Sequence, residues 1–195
     1  DSAFTGCSLL TTFILPKWIT FIGEGLFQNC TYLTSIIIPP SVTQIRDYAF
    51  SGCKYLLNID IPPTVTSIGS FAFKSCYNLT TIDLQGELSF IGDYAFSECK
   101  NLNTIHLPSS VKHIGKCAFG DCFFLKSFEM PQSLECIPNW IFMNCIELES
   151  VTIHTNIISI GEIAFSGCQA LSSITIPPSV KSIGKSAFTG CVSLK

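Results

Sequence analysis

Charge is the scarcest commodity in this 195-residue chain: Asp, Glu, Lys and Arg together make up 13% of it, against about 25% in an average domain. The net charge is −3, from 11 basic and 14 acidic residues, and no run of Lys or Arg stands out. That excludes nucleic acid as a partner, because phosphate binding depends on clustered cations. Long apolar runs are lacking as well. The richest stretches, Phe13-Ile14-Leu15 and Ile36-Ile37-Ile38, are broken within a few residues by Pro, Lys, Ser or Thr. A spanning helix needs about 20 apolar residues, so no membrane insertion is expected. The chain has no initiator Met, signal segment or lipidation motif, and it reads as a piece of a longer protein. Histidines number only three (His106, His113, His154), and no Ser or Cys nucleophile motif accompanies them. No C-x-x-C pair or phosphate-binding Gly loop occurs either. No enzyme activity, metal or cofactor is expected. What remains is 47% hydrophobic, too apolar for a disordered chain.

The apolar residues are periodic. Cys7, Cys30, Cys53, Cys76, Cys99, Cys122, Cys145, Cys168 and Cys191 are evenly spaced, 23 residues apart, with no insertion. Phe precedes each by three positions, from Phe4 to Phe188, and Leu follows each by three, from Leu10 to Leu194. Further apolar columns lie six, eight, twelve and fifteen residues after Cys, giving the unit C-x-x-L-x-x-I-x-I-P-x-x-V-x-x-I-G-x-x-A-F-x-x. A fixed period of this length signals a stacked repeat architecture.

Within the unit, L-x-x-I-x-I alternates apolar and polar positions, as a half-buried strand does. Pro follows in most copies and ends the strand, since it has no N–H for a ladder. The next segment, V-x-x-I-G, is short and β-branched, and is predicted to be a second short strand or extended turn. The A-F-x-x-C stretch is predicted to form one turn of 3₁₀ or α helix. One coil cannot bury its apolar side chains alone. Stacked in parallel at roughly 4.8 Å per coil, the columns become ladders and close a core, in a rod or shallow arc about 40 Å long. Nine units and a single domain over residues 1–195 are expected. Pro138 replaces Gly in one copy, followed by Trp140 and Ile141, so residues 136–142 are the expected local distortion. Both ends cut through a repeat, and residues 1–10 and 188–195 are expected to fray or be covered by a neighbour.

Units such as Leu79-Thr80-Thr81-Ile82-Asp83-Leu84 and Ser179-Val180-Lys181-Ser182-Ile183-Gly184-Lys185-Ser186-Ala187-Phe188 resemble the leucine-rich-repeat superfamily, specifically its Bacteroides surface protein A (BspA-like) type. The resemblance covers essentially the whole chain. It implies a β-rich member of the α/β horseshoe superfamily, a right-handed solenoid with parallel β-ladders and short 3₁₀ or helical turns. It also implies a cell-surface or secreted location and an adhesin-like role toward a host or matrix protein or glycoprotein. The high Cys and Phe content would suit a protozoan member.

The even cysteine spacing opposes a disulfide framework. Equivalent side chains point the same way and stand a coil apart, farther than the Cβ separation of about 3.8 Å that a disulfide needs. The ladder cysteines therefore read as buried small hydrophobes. Cys117 and Cys136 lie off the ladder, as free thiols or as a pair.

Two columns are candidates for partner binding. Seven residues after Cys, on the outward face of the first strand, come Ile14, Ile37, Asp60, Asp83, His106, Glu129, Thr152 and Thr175. Stacked acids repel one another, so a site for a basic peptide, or weakly for a cation, would account for them. Solvated charges that resist edge aggregation would account for them too. Eighteen after Cys come Gly25, Tyr48, Phe71, Tyr94, Cys117, Trp140, Ile163 and Ser186. Their aromatics form either an exposed patch or a layer packed over the turn. Asn29-Cys30-Thr31 and Asn78-Leu79-Thr80 are possible glycosylation sequons. The functional expectation is a non-catalytic binding module, with an intracellular scaffold or a structural spacer as alternatives.

Overall fold

A computed structural model describes residues 1–195 as a parallel β-solenoid without any helix. Most coils contribute to two ladders. The first holds β1 (Thr12–Ile14), β3 (Ser35–Ile37), β6 (Thr81–Asp83), β8 (Thr104–His106), β10 (Ser127–Glu129) and β12 (Ser150–Thr152). The second holds β2 (Phe21–Ile22), β4 (Gln44–Ile45), β5 (Ser67–Ile68), β7 (Phe90–Ile91), β9 (His113–Ile114), β11 (Cys136–Ile137), β13 (Ser159–Ile160) and β14 (Ser182–Ile183). Partners are 23 residues apart in sequence, as in Phe13↔Ile36 and Ile45↔Ile68, and every pair is parallel. One further bridge joins Asp60 to Asp83.

Nine cysteine-centred copies do not make nine complete coils. Seven copies carry a strand or bridge in the first ladder, and Ser173–Thr175 has none. The end copies are partial and have a neighbour on one side only. They nevertheless stay attached: Ser2, Phe4 and Gly6 donate backbone N–H bonds to Glu24, Leu26 and Gln28. Core-column side chains there are more open to solvent, as at Cys7 and Ile183.

The expected helical turn is also absent, for a stereochemical reason. Two residues per coil adopt positive φ, such as Tyr48 at 57° and Gly52 at 76°, or Tyr94 at 56° and Glu98 at 62°. A left-handed residue cannot continue a right-handed helix. Between these two, N–H groups alternate in direction. Ala49, Ser51 and Cys53 bond back to Arg46, Tyr48 and Phe50, while Tyr48, Phe50 and Gly52 bond forward to Ser70, Ala72 and Lys74 of the next coil. Of 104 backbone hydrogen bonds only 8 lie inside paired strands, so the turns join the coils as much as the sheets do.

The interior is one continuous cluster from Leu15 to Ala187. The Phe column stacks nearly flat, with Phe73 and Phe96 centroids 5.3 Å apart at 2°. Such stacking adds about 0.5–1.5 kcal/mol per pair to the area burial. The cysteine column follows it. All eleven thiols are free; Cys30 through Cys168 on the ladder are buried, Cys7 is exposed and Cys191 is half-buried. Cys7, in the first copy, differs from the expectation of burial.

Pro138 distorts the solenoid a little earlier than its surroundings suggested. The second ladder divides into β2-β4-β5-β7-β9 and β11-β13-β14. Trp140 and Phe142, by contrast, keep their regular bonds to Glu162 and Ala164.

Candidate protein-binding face

The first ladder places alternate side chains inward and outward, as a pleated strand must. In β6, Ile82 is buried while Thr81 and Asp83 face solvent; in β10, Phe128 is buried between exposed Ser127 and Glu129. Register then brings the outward residues of successive coils together. Ile14 lies beside Ile37, Asp60 beside Asp83, Asp83 beside His106, and Glu129 beside Thr152.

This column has two chemically distinct ends. Ile14 is 92% exposed and Ile37 84%, and with Pro39 and Pro40 they line an apolar cleft of about 430 Å³. A second cleft, lined by Ile37, Asp60, Asp83 and Gln85 among others, connects the apolar end to the acids. A third, of about 340 Å³, includes His106, Glu129 and Gln132. Near the apolar end Trp18 is 80% exposed. It escaped the sequence reading, although it breaks a column otherwise rich in Ser and Thr (Ser41, Thr64, Ser110, Ser133, Ser179).

The acids have no internal counter-ion. The ion pairs of the molecule, Lys74–Glu98 at 3.4 Å and Lys116–Asp93 at 3.7 Å, both lie elsewhere. Asp83 accepts a hydrogen bond from Gln85 Nε2. No three His, Cys, Asp or Glu side chains converge where a metal ion could be held.

The aromatic column is different in kind. Tyr48, Phe71, Tyr94 and Trp140 are half-buried at the turn. Tyr48 and Phe71 stack at 4.8 Å and 1°, and Phe71 and Tyr94 at 4.9 Å and 4°. Lys74 Nζ sits 5.8 Å from the rings of both Phe71 and Tyr94. Buried Cys117 separates Trp140 from the other three. All four carry positive φ, which is strained for a bulky side chain. Nothing in the sequence signals that conformation. Of the sequon asparagines, Asn29 is exposed and Asn78 is half-buried, accepting a bond from Asn101 at 3.4 Å.

The repeat, its register and its stacked core agree with one family. The BspA type leucine rich repeat region matches in 6 copies over residues 1–123 and 66–195, the whole chain. The chain belongs to that family. Among solved structures, this BspA-type solenoid is similar to a leucine-rich repeat protein from Bacteroides ovatus, with 36% identity and a TM-score of 0.94. The match covers 100% of this chain and 50% of that one, so the chain spans half the length of this relative. A leucine rich cell surface protein from Faecalibacterium prausnitzii is 31% identical, with coverages of 100% and 61% and a TM-score of 0.65. The leucine rich repeat protein of T. pallidum is 29% identical, with coverages of 95% and 78% and a TM-score of 0.75. No curated protein matches the chain. No helix is long and apolar enough to cross a membrane.

Proposed function

We propose that this BspA-type solenoid is a non-catalytic binding module whose first-ladder face receives an extended polypeptide. The observation that carries this reading is the run of three clefts along one outward column, apolar at Ile14 and Ile37 and acidic at Asp60, Asp83 and Glu129. A ligand lying across the coils would bury aliphatic or aromatic side chains at the first end. It would set Lys or Arg against the unpaired carboxylates at the other. Apolar burial is worth about 25 cal/mol per Å², and the charges contribute orientation and encounter rate.

A surface location is supported by the similarity to the F. prausnitzii protein described as a cell surface protein. The absence of catalysis is supported by the dispersed histidines: His113 stacks on Phe90, and His154 bonds to the Pro131 carbonyl.

The test is capture of partners from surface-biotinylated host cells and from lysate of the producing cell. The parent chain is compared with a D60K/D83K/E129K variant and with I14S/I37S. A surface or matrix protein that binds the parent and is lost with both variants is the expected result. Enrichment of intracellular proteins instead would favour a scaffold. Partners indifferent to both variants would reject this face, and a chain that captures nothing would be a spacer.

A further inference from the structure

We propose that the acid column of the first ladder also binds the turn edge of a second copy of this chain, lying parallel to the first and offset by one coil. The inference rests on the first-ladder face being a binding face and adds a second occupant to it.

Two stripes run along the same coils on different sides of the solenoid. One is the outward column of the first ladder: Ile14 and Ile37, then Asp60, Asp83, His106 and Glu129. The other lies one and two residues after the ladder cysteines: Leu9 and Tyr32, then Lys54, Tyr77 and Lys100. Both begin apolar and turn charged, with opposite sign. Backbone bonds keep the second stripe in coil register, Asn78 donating to the Lys54 carbonyl at 3.1 Å and Asn101 to that of Tyr77 at 3.2 Å. Within one chain the stripes stand six residues apart along each coil, up to about 20 Å of extended chain.

Both sets of charges are unpaired. Lys54 and Lys100 flank Tyr77, with Nζ atoms 5.6 Å and 4.6 Å from its ring centroid. The ring holds the ammonium groups in place and leaves their charge uncompensated. The carboxylates of this edge are engaged elsewhere. Glu98 takes Lys74 at 3.4 Å, the Ser75 hydroxyl at 2.9 Å and the Tyr77 hydroxyl at 3.5 Å. Asp121 accepts from the Asn144 amide at 2.9 Å. Neither ion pair of the molecule includes Lys54, Lys100, Asp60, Asp83 or Glu129.

Spacing selects the arrangement. Lys54 and Lys100 are two coils apart, and so are Asp83 and Glu129. With two copies side by side and parallel, an offset of one coil puts Lys54 against Asp83 and Lys100 against Glu129. Every other parallel offset leaves at least one of these lysines without a carboxylate. An antiparallel copy also matches both charges, Lys54 with Glu129 and Lys100 with Asp83, but it sets Leu9 against Thr175. The parallel offset sets Leu9 against Ile37, which are 83% and 84% exposed, and the Tyr32 hydroxyl beside Asp60. Burial of two exposed aliphatic side chains therefore decides the orientation. The column five residues after cysteine is small and uncharged from Thr12 to Ser150, so the edge has room to approach. Each copy offers one stripe of each kind, so the contact is heterologous and repeats from copy to copy.

The experiment is sedimentation velocity of the 195-residue protein over a range of concentrations, beside D83K/E129K, K54E/K100E, an equimolar mixture of these two, and L9D. The parent is expected to associate with rising concentration, less so in high salt, which screens the pairs. Each double variant alone should stay monomeric. Their mixture should associate, because the reversed column of one meets the reversed edge of the other, and that recovery also shows that both are folded. L9D, which the antiparallel arrangement would tolerate, should associate at least tenfold more weakly than the parent. The proposal is overturned if the parent stays monomeric, if either double variant alone associates as the parent does, if the mixture does not associate, or if L9D matches the parent. K54E/K100E alters no residue of the first-ladder face, so its capture of other partners tests that reading separately.

Discussion

Cys76 and Phe50, 26 residues apart in the chain, are joined by a thiol-to-carbonyl hydrogen bond of 3.2 Å that crosses the boundary between two coils. The same bond recurs along the solenoid, from Cys30 to Phe4 through to Cys191 to Phe165. The ladder thiol is thus more than a small hydrophobe: it is a weak donor that ties each coil to the one before it.

Replacing Cys76 by Ala removes this bond and leaves a small void, and is expected to lower stability by about 1–2 kcal/mol. Cys76→Ser keeps a donor of similar size and should lose less than the Ala variant. Urea titrations of the three proteins measure the order. A serine variant weaker than the alanine variant would mean that the bond contributes nothing net.

Modification by a thiol reagent should divide the cysteines by position. Cys7 and Cys136 are exposed, while the ladder cysteines from Cys30 to Cys168 and the off-ladder Cys117 are buried. Mass spectrometry after brief alkylation of the native protein should find label on Cys7 and Cys136. The buried thiols should label only in denaturant. Early label on Cys99 or Cys122 would contradict a closed core.

Alkali should unfold the solenoid steeply. Burial, and next the neighbouring ladder thiol, push Cys76, Cys99, Cys122 and Cys145 well above the ordinary thiol value of 9.0. The less enclosed Cys30 rises to about 11 and Cys168 to about 12. Between the ordinary and the raised value the folded chain keeps protons that the unfolded chain has released. Stability is therefore intact below pH 9 and falls as pH rises above it, by about 1.4 kcal/mol per pH unit for each deeply buried thiol. Urea midpoints at pH 8, 9 and 10 measure the slope, and Cys99→Ala should reduce it by one thiol's share. A midpoint unchanged from pH 8 to pH 10 would refute the linkage.

Gly161→Pro should reproduce at a second junction what Pro138 does at the first. It deletes the N–H that bonds the Ile137 carbonyl at 2.8 Å and brings a Cβ to 2.6 Å from the Asn139 nitrogen; the unsatisfied carbonyl alone is expected to cost about 1–3 kcal/mol. Hydrogen exchange over residues 158–163 should accelerate while the Phe column stays protected. Unchanged exchange there would show that the second ladder is not held by these bonds.

The period of 23, the inward columns and the outward face were legible in the residues themselves. A strand alternates sides with period two, and a repeat without insertions brings like residues into register. Asp60, Asp83, His106 and Glu129 therefore fall on one exposed column in the sequence and in the fold alike. The resemblance carried by Leu79–Leu84 and Ser179–Phe188 identified the family for the same reason.

Three matters were settled only by tertiary structure. Whether A-F-x-x-C coils into a helix depended on forward bonds to the next coil, which make it worthwhile for Tyr48 and Tyr94 to adopt left-handed φ; local propensity contains no such term. That Tyr48, Phe71 and Tyr94 stack on one another and stay half-buried depended on the coil spacing and on the turns around them. Pro138 was visible as an exception, but the break in the second ladder also left the Glu135 N–H without a backbone partner. A one-dimensional pattern tells which residues stack, and only the packed coils tell where the stack fails to close.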